Sequence, residues 1–525
     1  MVNDAPRFDA DSAARIARQL YGIDATAIPL TSERDQNFLL TTAAGERRIL
    51  KIANALERPE LLEAQQAAMA HVAPHLPACP RPLPTLGGEV VTRIPGDNGR
   101  THLVWAITHV PGAPLGDVRY RSRALLEDFG RTIASLDCAL ADFDHPAIHR
   151  DFHWDLANAG GVIDEYRPLV TDPELCRAID TIVERFGAHV RPVLAGLPRR
   201  AIHNDLNDYN VLVAGSLAGA EGARVSGIVD FGDIVYSFGI ADLAIAGAYM
   251  MLGADDPLAA LANLTRGYAG VSVPQHDELQ ALFGLSAMRL AVSACIAAHQ
   301  RRLRPDNEYL DVSQAAIRRT LPLLASLPFK LTTAALRDAA GLDPSPEGER
   351  VRTWLAQQRG TFAPVMPFDP REDPVLVLDL GVTSPLVSAD PRENSEPLIT
   401  ARVDAAMREA GVRVAIGQYD EPRLLYSSPL FAGAESPLEE RRTIHLGLDI
   451  FCDAGTPVHA PLRGTVHAFA YNPASLDYGG VIILQHATDD GTEFFSLYGH
   501  LSRASVAGVT AGRVIERAEK PIRIL

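Results

Sequence analysis

The sequence predicts an α+β protein in two parts. A mixed sheet-and-helix region runs on into a helical body, and a separate small β-rich module follows. Three observations carry this expectation. At ~150 residues per domain, 525 residues make roughly three folded units. Apolar residues form 47% and charged residues 22% of the chain, the composition of a packed globular protein. The apolar spacing also changes character along the chain, from alternation to helical periodicity and back to alternation.

Residues 1–110 read as the first, mixed segment. A helix is expected near 9–21, and FLLTT, AAGE and RRILKIA form a hairpin pattern with strands at 36–41 and 47–53. A helix at 57–73 follows, with Pro59 near its start and Leu61, Leu62, Met69 and Val72 as its apolar positions. Strands near 89–94 and 102–108 complete the segment, and HVPGAP breaks it sharply. Residues 111–325 are mostly helical in pattern, interrupted by AIHNDLNDYNVLVAG and VSGIVDFGD. The stretch 326–374, with DPSPEGE and FAPVMPFDPREDP, reads as a linker. From 375 to 525 the text turns to strands, including VLVLDL, GGVIILQH and TEFFSLYGHL.

Composition excludes several classes of function. Forty-nine basic against 65 acidic residues give a net charge of −16, which argues against general nucleic-acid binding but not against a local phosphate pocket. The N-terminal MVNDAPRFDADSAAR has no apolar core segment and does not read as a secretory signal. The apolar stretches 238–254 and 281–298 contain Asp242 and Arg289, so each reads as a buried helix and no membrane partner is expected. Five cysteines without a C-x-x-C fit a reducing, cytoplasmic location.

One set of residues carries recognisable chemistry. Moving phosphate from a nucleotide to an alcohol needs a base for the hydroxyl, ligands for Mg²⁺, a lysine for the phosphates and an acid to position that lysine. In His203-Asn204-Asp205-Leu206-Asn207-Asp208-Tyr209-Asn210, the step from Asp205 to Asn210 is that of a kinase catalytic loop. Twenty residues beyond Asn210, Asp230 ends the apolar strand of Ile228-Val229-Asp230-Phe231-Gly232-Asp233, where its hard oxygens suit Mg²⁺. Lys51 lies in the apolar strand Ile49-Leu50-Lys51-Ile52, an unusual place for a charge without an anionic partner, and Glu63 on the next helix is the expected one. The turn Ser32–Phe38 is not glycine-rich but could cover phosphates with its backbone N–H groups. His149-Arg150-Asp151 imitates a catalytic loop, yet Leu156 stands where the asparagine should be, so it reads as structural.

The order of lysine strand, acidic helix, catalytic loop and DFG-like strand resembles the aminoglycoside phosphotransferase and choline kinase family, over roughly residues 15–325. The resemblance implies a bilobal protein-kinase-like fold with Asp205 as catalytic base and Asn210 and Asp230 as Mg²⁺ ligands. It also implies Lys51 and Glu63 as the phosphate-positioning pair, and a purine-facing hinge at 106–110 that includes Thr108 and Val110. ATP or GTP is the implied donor. Two departures stand out: Asn204 and Asn207 replace the glycine and the second histidine of the family's His-Gly-Asp-Leu-His. SERDQNFLL, HRDFHWDLANA and PDNEYLDVSQ look most like the hydroxylysine kinase branch, which implies a small amino alcohol or hydroxylated amino acid as acceptor. Asp233, Glu308 and Asp311 are candidates for holding its ammonium, each weighed against a structural role, and Asp242 reads as a buried carboxylate bracing the catalytic loop.

A second set lies near the C-terminal end. His445 and Asp449, four residues apart on a strand, share a sheet face and could reach one Zn²⁺. With AGTPVHAPLRGTV and FFSLYGHL they resemble the lysostaphin-like β-domain of zinc peptidoglycan endopeptidases, over about 425–510. The resemblance makes His445 and Asp449 metal ligands and His500 the histidine that assists water. The family's later His-x-His is missing: His500 is the last histidine, and none of the 25 residues after it is His or Cys. A catalytic zinc normally takes three protein ligands. The module is therefore expected to be C-terminally incomplete and its zinc site vestigial, unless His459, His467 or His486 serves instead. The pairing of modules also resembles longer proteins that end in a class-III aminotransferase-like domain, absent from this chain. Two alternatives stay open beside the phosphotransferase: a non-catalytic nucleotide-binding scaffold and a zinc metallopeptidase.

Overall fold

The computed structural model describes residues 5–32, 35–96, 99–215, 222–303, 314–388, 390–426, 431, 443–474 and 476–517. The chain divides into two compact units, Met1–Pro344 and Ser345–Leu525.

The first unit begins with an antiparallel sheet in the order Ala25–Leu30, Gln36–Thr42, Arg47–Ile52, Thr101–Thr108, Pro82–Leu83, with Thr92–Pro95 also paired to Thr101–Thr108. Strand alternation decides what each face carries. Leu50 and Ile52 are buried with Phe38, Leu40, Val104 and Ala106 against Ala13, Ala17 and Tyr21 of the helix Ala10–Tyr21. Lys51 therefore belongs to the opposite face. Its neighbours across the ladders are Asn37 on one side and Trp105 on the other. The helix Pro59–Val72 buries Leu62, Ala68, Met69 and Val72 in the larger core, with proline at its first turn, where the missing N–H is not needed.

The larger lobe of this unit is helical, and its centre is the helix His276–Leu303. That helix is long and apolar enough to cross a membrane, but here most of it is buried among neighbouring helices, Arg289 included. Two small sheets frame the loops between them. Arg199–Ile202 pairs with Val235–Phe238, and Val211–Ala214 pairs with Arg224–Ile228 and Ala113–Pro114. The loop 203–210 leaves the first sheet and enters the second, and Asp230 follows the end of Arg224–Ile228.

The expected linker 326–374 is not a continuous connector. Phe329–Ala339 is a helix whose Phe329 and Leu336 are buried in the core of the first unit, so the break between units falls after Pro344. Pro346–Gln358 is a further helix, in the second unit.

The second unit holds an antiparallel sheet in the order Glu493–Leu501, Gly479–Ala487, Gly464–Asn472, Val514–Ile515. Val466, Ile482, Leu484 and Leu501 line its core. It also contains an element that the strand reading passed over. Val375–Leu378 and Val414–Gly417 pair in parallel, joined through the helix Glu396–Ala410. A parallel pair needs such a crossover, because a tight turn cannot reverse the chain twice.

Candidate active site

The loop 203–210 is held from below by a buried carboxylate. Asp242, at the start of the helix Ala241–Met251, accepts the backbone N–H of His203 at 2.8 Å and that of Asn204 at 2.7 Å. Asn204 has φ +66°, the left-handed region where asparagine is among the few tolerated side chains. This accounts for asparagine in place of the family's glycine. Beneath Asp242 lies Asp137, which accepts the Tyr268 hydroxyl at 2.8 Å on Oδ2. Burial pushes both carboxyls upward, and the charge of Asp242 raises Asp137 further. His203, the loop N–H groups and a hydrogen bond from Asp137 pull Asp242 back, so one proton shared by the pair sits on Asp137. That proton belongs on Asp137, because both Asp242 oxygens already accept loop N–H groups.

Above this brace, Asp205 is oriented by three donors. Asn207 Nδ2 reaches Oδ1 at 3.0 Å, Asn210 Nδ2 reaches Oδ2 at 2.7 Å, and Arg289 Nη2 reaches Oδ1 at 3.3 Å. A carboxylate has about four lone-pair positions, so one remains for an acceptor hydroxyl. Asn207, the second departure from the family's motif, also accepts the N–H groups of Tyr209 and Asn210 at 2.8 and 3.1 Å, closing the turn that brings Asn210 back to Asp205. With its amide nitrogen committed to Asp205, Asn210 has its side-chain oxygen left as a hard donor.

Asp230 is tied to the same loop. Val229 N–H donates to the Asn210 carbonyl at 2.9 Å, and Asp230 itself has φ +69°. Its carboxylate accepts Gly232 N–H at 3.3 Å and faces Lys51 Nζ at 3.8 Å. Lys51 also lies 5.7 Å from the centre of the Trp105 ring. Arg150, from the imitation motif, donates to the carbonyls of Gly232 and Ile234, both at 3.1 Å, and so fixes the turn after Asp230. Asp233 in that turn is pushed up to about 7 by burial first, then by Asp205 and Asp230, with Arg289 and Arg150 pulling the other way.

The expected pairing of Lys51 with Glu63 is not what the structure contains. Glu63 is on the exposed face of Pro59–Val72, and the acid beside Lys51 is Asp230. On the buried face of that helix stands Gln66, only 2% exposed, with both amide atoms unpartnered among the described residues. Sequence reasoning missed Gln66 because only acids were sought. At the hinge, Thr108 is tied to Arg81, donating its N–H to the Arg81 carbonyl and accepting Arg81 N–H on Oγ1, both at 2.9 Å. Val110 packs on Gly227, where a Cβ would lie 2.3 Å from Val110 Cγ1. Glu33 and Arg34 of the phosphate-covering turn, and Glu308 and Asp311, lie outside the described residues.

Residues 26–282 match the phosphotransferase enzyme family, APH, and residues 443–520 match peptidase family M23. Hydroxylysine kinase of Mus musculus is 32% identical over 332 residues, covering 59% of this chain and 87% of that protein. This chain belongs to the APH phosphotransferase family. The phosphotransferase is a small-molecule kinase acting on a hydroxyl group, with a kinase-like fold followed by an M23 region. Among solved structures, a microcompartment-associated aminopropanol kinase is similar at 17% identity and a TM-score of 0.46, covering 63% of this chain and 99% of that one. An uncharacterized metalloprotease of Haemophilus influenzae is 34% identical over 94 residues, 18% of each chain.

In the phosphotransferase's M23 region, His445 Nε2 lies 3.6 Å from Asp449 Oδ1, so the two expected zinc ligands do share a face. The donor set does not fit zinc, however. Asp449 Oδ2 accepts Arg423 Nη1 at 2.6 Å, and Arg423, itself 6% exposed, is also bound through Nε to Glu421 at 2.8 Å. A guanidinium therefore holds the carboxylate that a metal would need. Burial, with Arg423 adding to it, holds the His445 imidazole below its ordinary value against the pull of Asp449. His486 is bonded at both ring nitrogens, to the Arg463 carbonyl at 2.8 Å and Ser496 Oγ at 2.7 Å. His467 packs on Phe495, and His500 is exposed with φ +56°. No group of three His, Cys, Asp or Glu side chains able to hold a metal occurs among the described residues.

Proposed function

We propose that the enzyme transfers the terminal phosphoryl group of a Mg²⁺-bound nucleoside triphosphate to the hydroxyl of a small amino alcohol or hydroxylated amino acid, as the hydroxylysine kinase relatives suggest. The observation that carries this reading is the junction of Asp205 and Asn210 at 2.7 Å, with Asp230 tied to the same loop through Val229 and facing Lys51. Asp205 takes the proton of the acceptor hydroxyl. The hydroxyl oxygen forms a bond to the γ-phosphorus as the bond to the nucleoside diphosphate breaks. Lys51, set between the sheet and Asp230, holds the donor phosphates in line. Mg²⁺, when bound by the Asn210 side-chain oxygen and the Asp230 carboxylate, would supply positive charge against the developing phosphate charge. Thr108 and Val110 are assigned to the nucleotide hinge. A nucleotide-dependent reaction and the unpaired cysteines together support a cytoplasmic location.

Asp205→Asn tests the assignment. Loss of a general base costs about 10²- to 10⁴-fold in turnover, while nucleotide affinity, read by titration, should stay near wild type. A variant with full activity would remove Asp205 from the role. A screen of amino alcohols and hydroxylated amino acids with ATP and with GTP identifies donor and acceptor, and nucleotide binding without transfer to any of them would favour the scaffold.

A further inference from the structure

The loop 203–210 is pegged to one helix at two points. Its start hangs on Asp242, in the first turn of Ala241–Met251. Near its end, Asp208 Oδ2 accepts Arg121 Nη2 at 2.9 Å. Nη1 of the same guanidinium donates to the carbonyl of Tyr249, in the last turn of that helix, at 3.2 Å. A cation is favoured at that end of a helix, where carbonyls lack partners. Both side chains of the Arg121–Asp208 pair are only 20% exposed, which spares it much of the screening that weakens surface pairs.

Arg121 belongs to the segment that follows the nucleotide hinge at 106–110, and that segment lies directly on the loop. Gly116 N–H donates to the Asp208 carbonyl at 2.8 Å, and the Tyr209 ring covers Gly116 so closely that a Cβ there would meet it at 3.2 Å. Asp208 and Tyr209 stand between Asn207, which orients Asp205, and Asn210. An arginine that only capped the helix would need the Tyr249 carbonyl alone. This one commits its other arm to the loop.

We propose that Arg121 is a positioning residue that couples the hinge to the catalytic loop, so that a nucleotide seated at 106–110 also steadies Asp205 and Asn210. The proposal rests on the phosphotransferase reading and adds a route by which donor binding prepares the site for the acceptor. The route is a chain of direct contacts from the hinge segment through the Arg121 fork and Asp208 to the Asn207 turn. A planar fork suits this task because it holds two acceptors at a fixed angle, which an ammonium does not.

Hydrogen exchange reads the coupling without acceptor or metal. The Tyr209 and Asn210 amides both donate to Asn207 Oδ1 and so report on the turn. ADP, at concentrations that titration shows to saturate each protein, should slow their exchange at least ~5-fold in wild type. In Arg121→Gln the slowing should fall below ~2-fold, outside the range of a working coupling. Arg121→Lys, which keeps the charge without the fork, should lie between and guards against a variant that fails to fold. Equal slowing in wild type and Arg121→Gln would overturn the proposal, as would no slowing in wild type. Turnover gives a second readout. Arg121→Gln and Asp208→Asn should each lower kcat, by up to about 100-fold, and the double variant should be no worse than the poorer single because both break one pair. Losses that multiply, or a lowered urea midpoint with exchange and kcat unchanged, would leave the pair a structural one. Arg121-dependent slowing in a protein that phosphorylates no acceptor would sink the phosphotransfer reading alone. Phosphoryl transfer with slowing indifferent to Arg121 would sink the coupling alone.

Discussion

Replacing Asp242 by asparagine changes one oxygen to NH₂ and nothing else in size, yet it should be among the most damaging substitutions in the first unit. In the native protein both oxygens accept backbone N–H groups of the catalytic loop, at 2.8 and 2.7 Å, and the residue is fully buried. An amide can accept only one of the two. The other N–H would face a donor and remain unsatisfied out of reach of water. Losing one charge-assisted bond costs about 1.5–3 kcal/mol and stranding a buried N–H about 1–3 kcal/mol, so a loss of about 2.5–6 kcal/mol is expected. That is a large share of a stability of about 5–15 kcal/mol. The residue that must then hold itself is Asn204, with its left-handed backbone, one position before Asp205. Urea denaturation of Asp242→Asn against wild type measures the first effect, and kcat at saturating nucleotide measures the second. Both should fall together. A stability change under ~1 kcal/mol, well below the buried hydrogen-bond range, would refute the bracing argument.

The proton assigned to Asp137 has a pH signature. Its carboxyl is held well above the ordinary aspartate range, so folding takes up a proton at any pH between the unfolded and folded values. Stability should therefore decline as pH rises through that interval, by up to about 1.4 kcal/mol per unit for one proton. Asp137→Asn keeps a donor toward Asp242 and cannot ionise, so its denaturation midpoints from pH 5 to 9 should decline less steeply than those of wild type; parallel slopes would place the proton elsewhere. Gly227→Ala puts a methyl 2.3 Å from Val110 Cγ1 and should cost about 1–3 kcal/mol by overpacking, with a raised nucleotide KM. Val110→Ala in the same chain should restore much of both, and failure to do so would separate Gly227 from the hinge. Metal analysis of the purified protein should find no stoichiometric zinc, because Arg423 occupies Asp449. A zinc content near one per chain that disappears in His445→Ala would contradict this.

How much could be read from the chain depended on the range of each interaction. The helix Ala10–Tyr21, the hairpin of Gln36–Thr42 and Arg47–Ile52, and the helix Pro59–Val72 follow from local periodicity and turn chemistry. Asp205 and Asn210 were legible because one short loop brings them together, and Lys51 because a charge in an apolar strand must face away from its apolar neighbours. The bracing role expected of Asp242 is what the structure contains, both of its oxygens accepting loop N–H groups. The helix Glu396–Ala410 was overlooked although Ile399, Val403, Ala406 and Met407 recur at helical spacing on its packed face, because the region was read only for strand alternation.

By itself, then, the sequence determined which chemical groups exist and which of them share a loop or a strand face. Those relations span few residues and obey backbone geometry. Only the tertiary structure decided which charges meet: Asp230 rather than Glu63 at Lys51, Arg289 at Asp205 across 84 positions, and Arg423 rather than a metal at Asp449. Buried ions must be matched by opposite charge wherever packing delivers it, and packing joins positions that no periodicity relates.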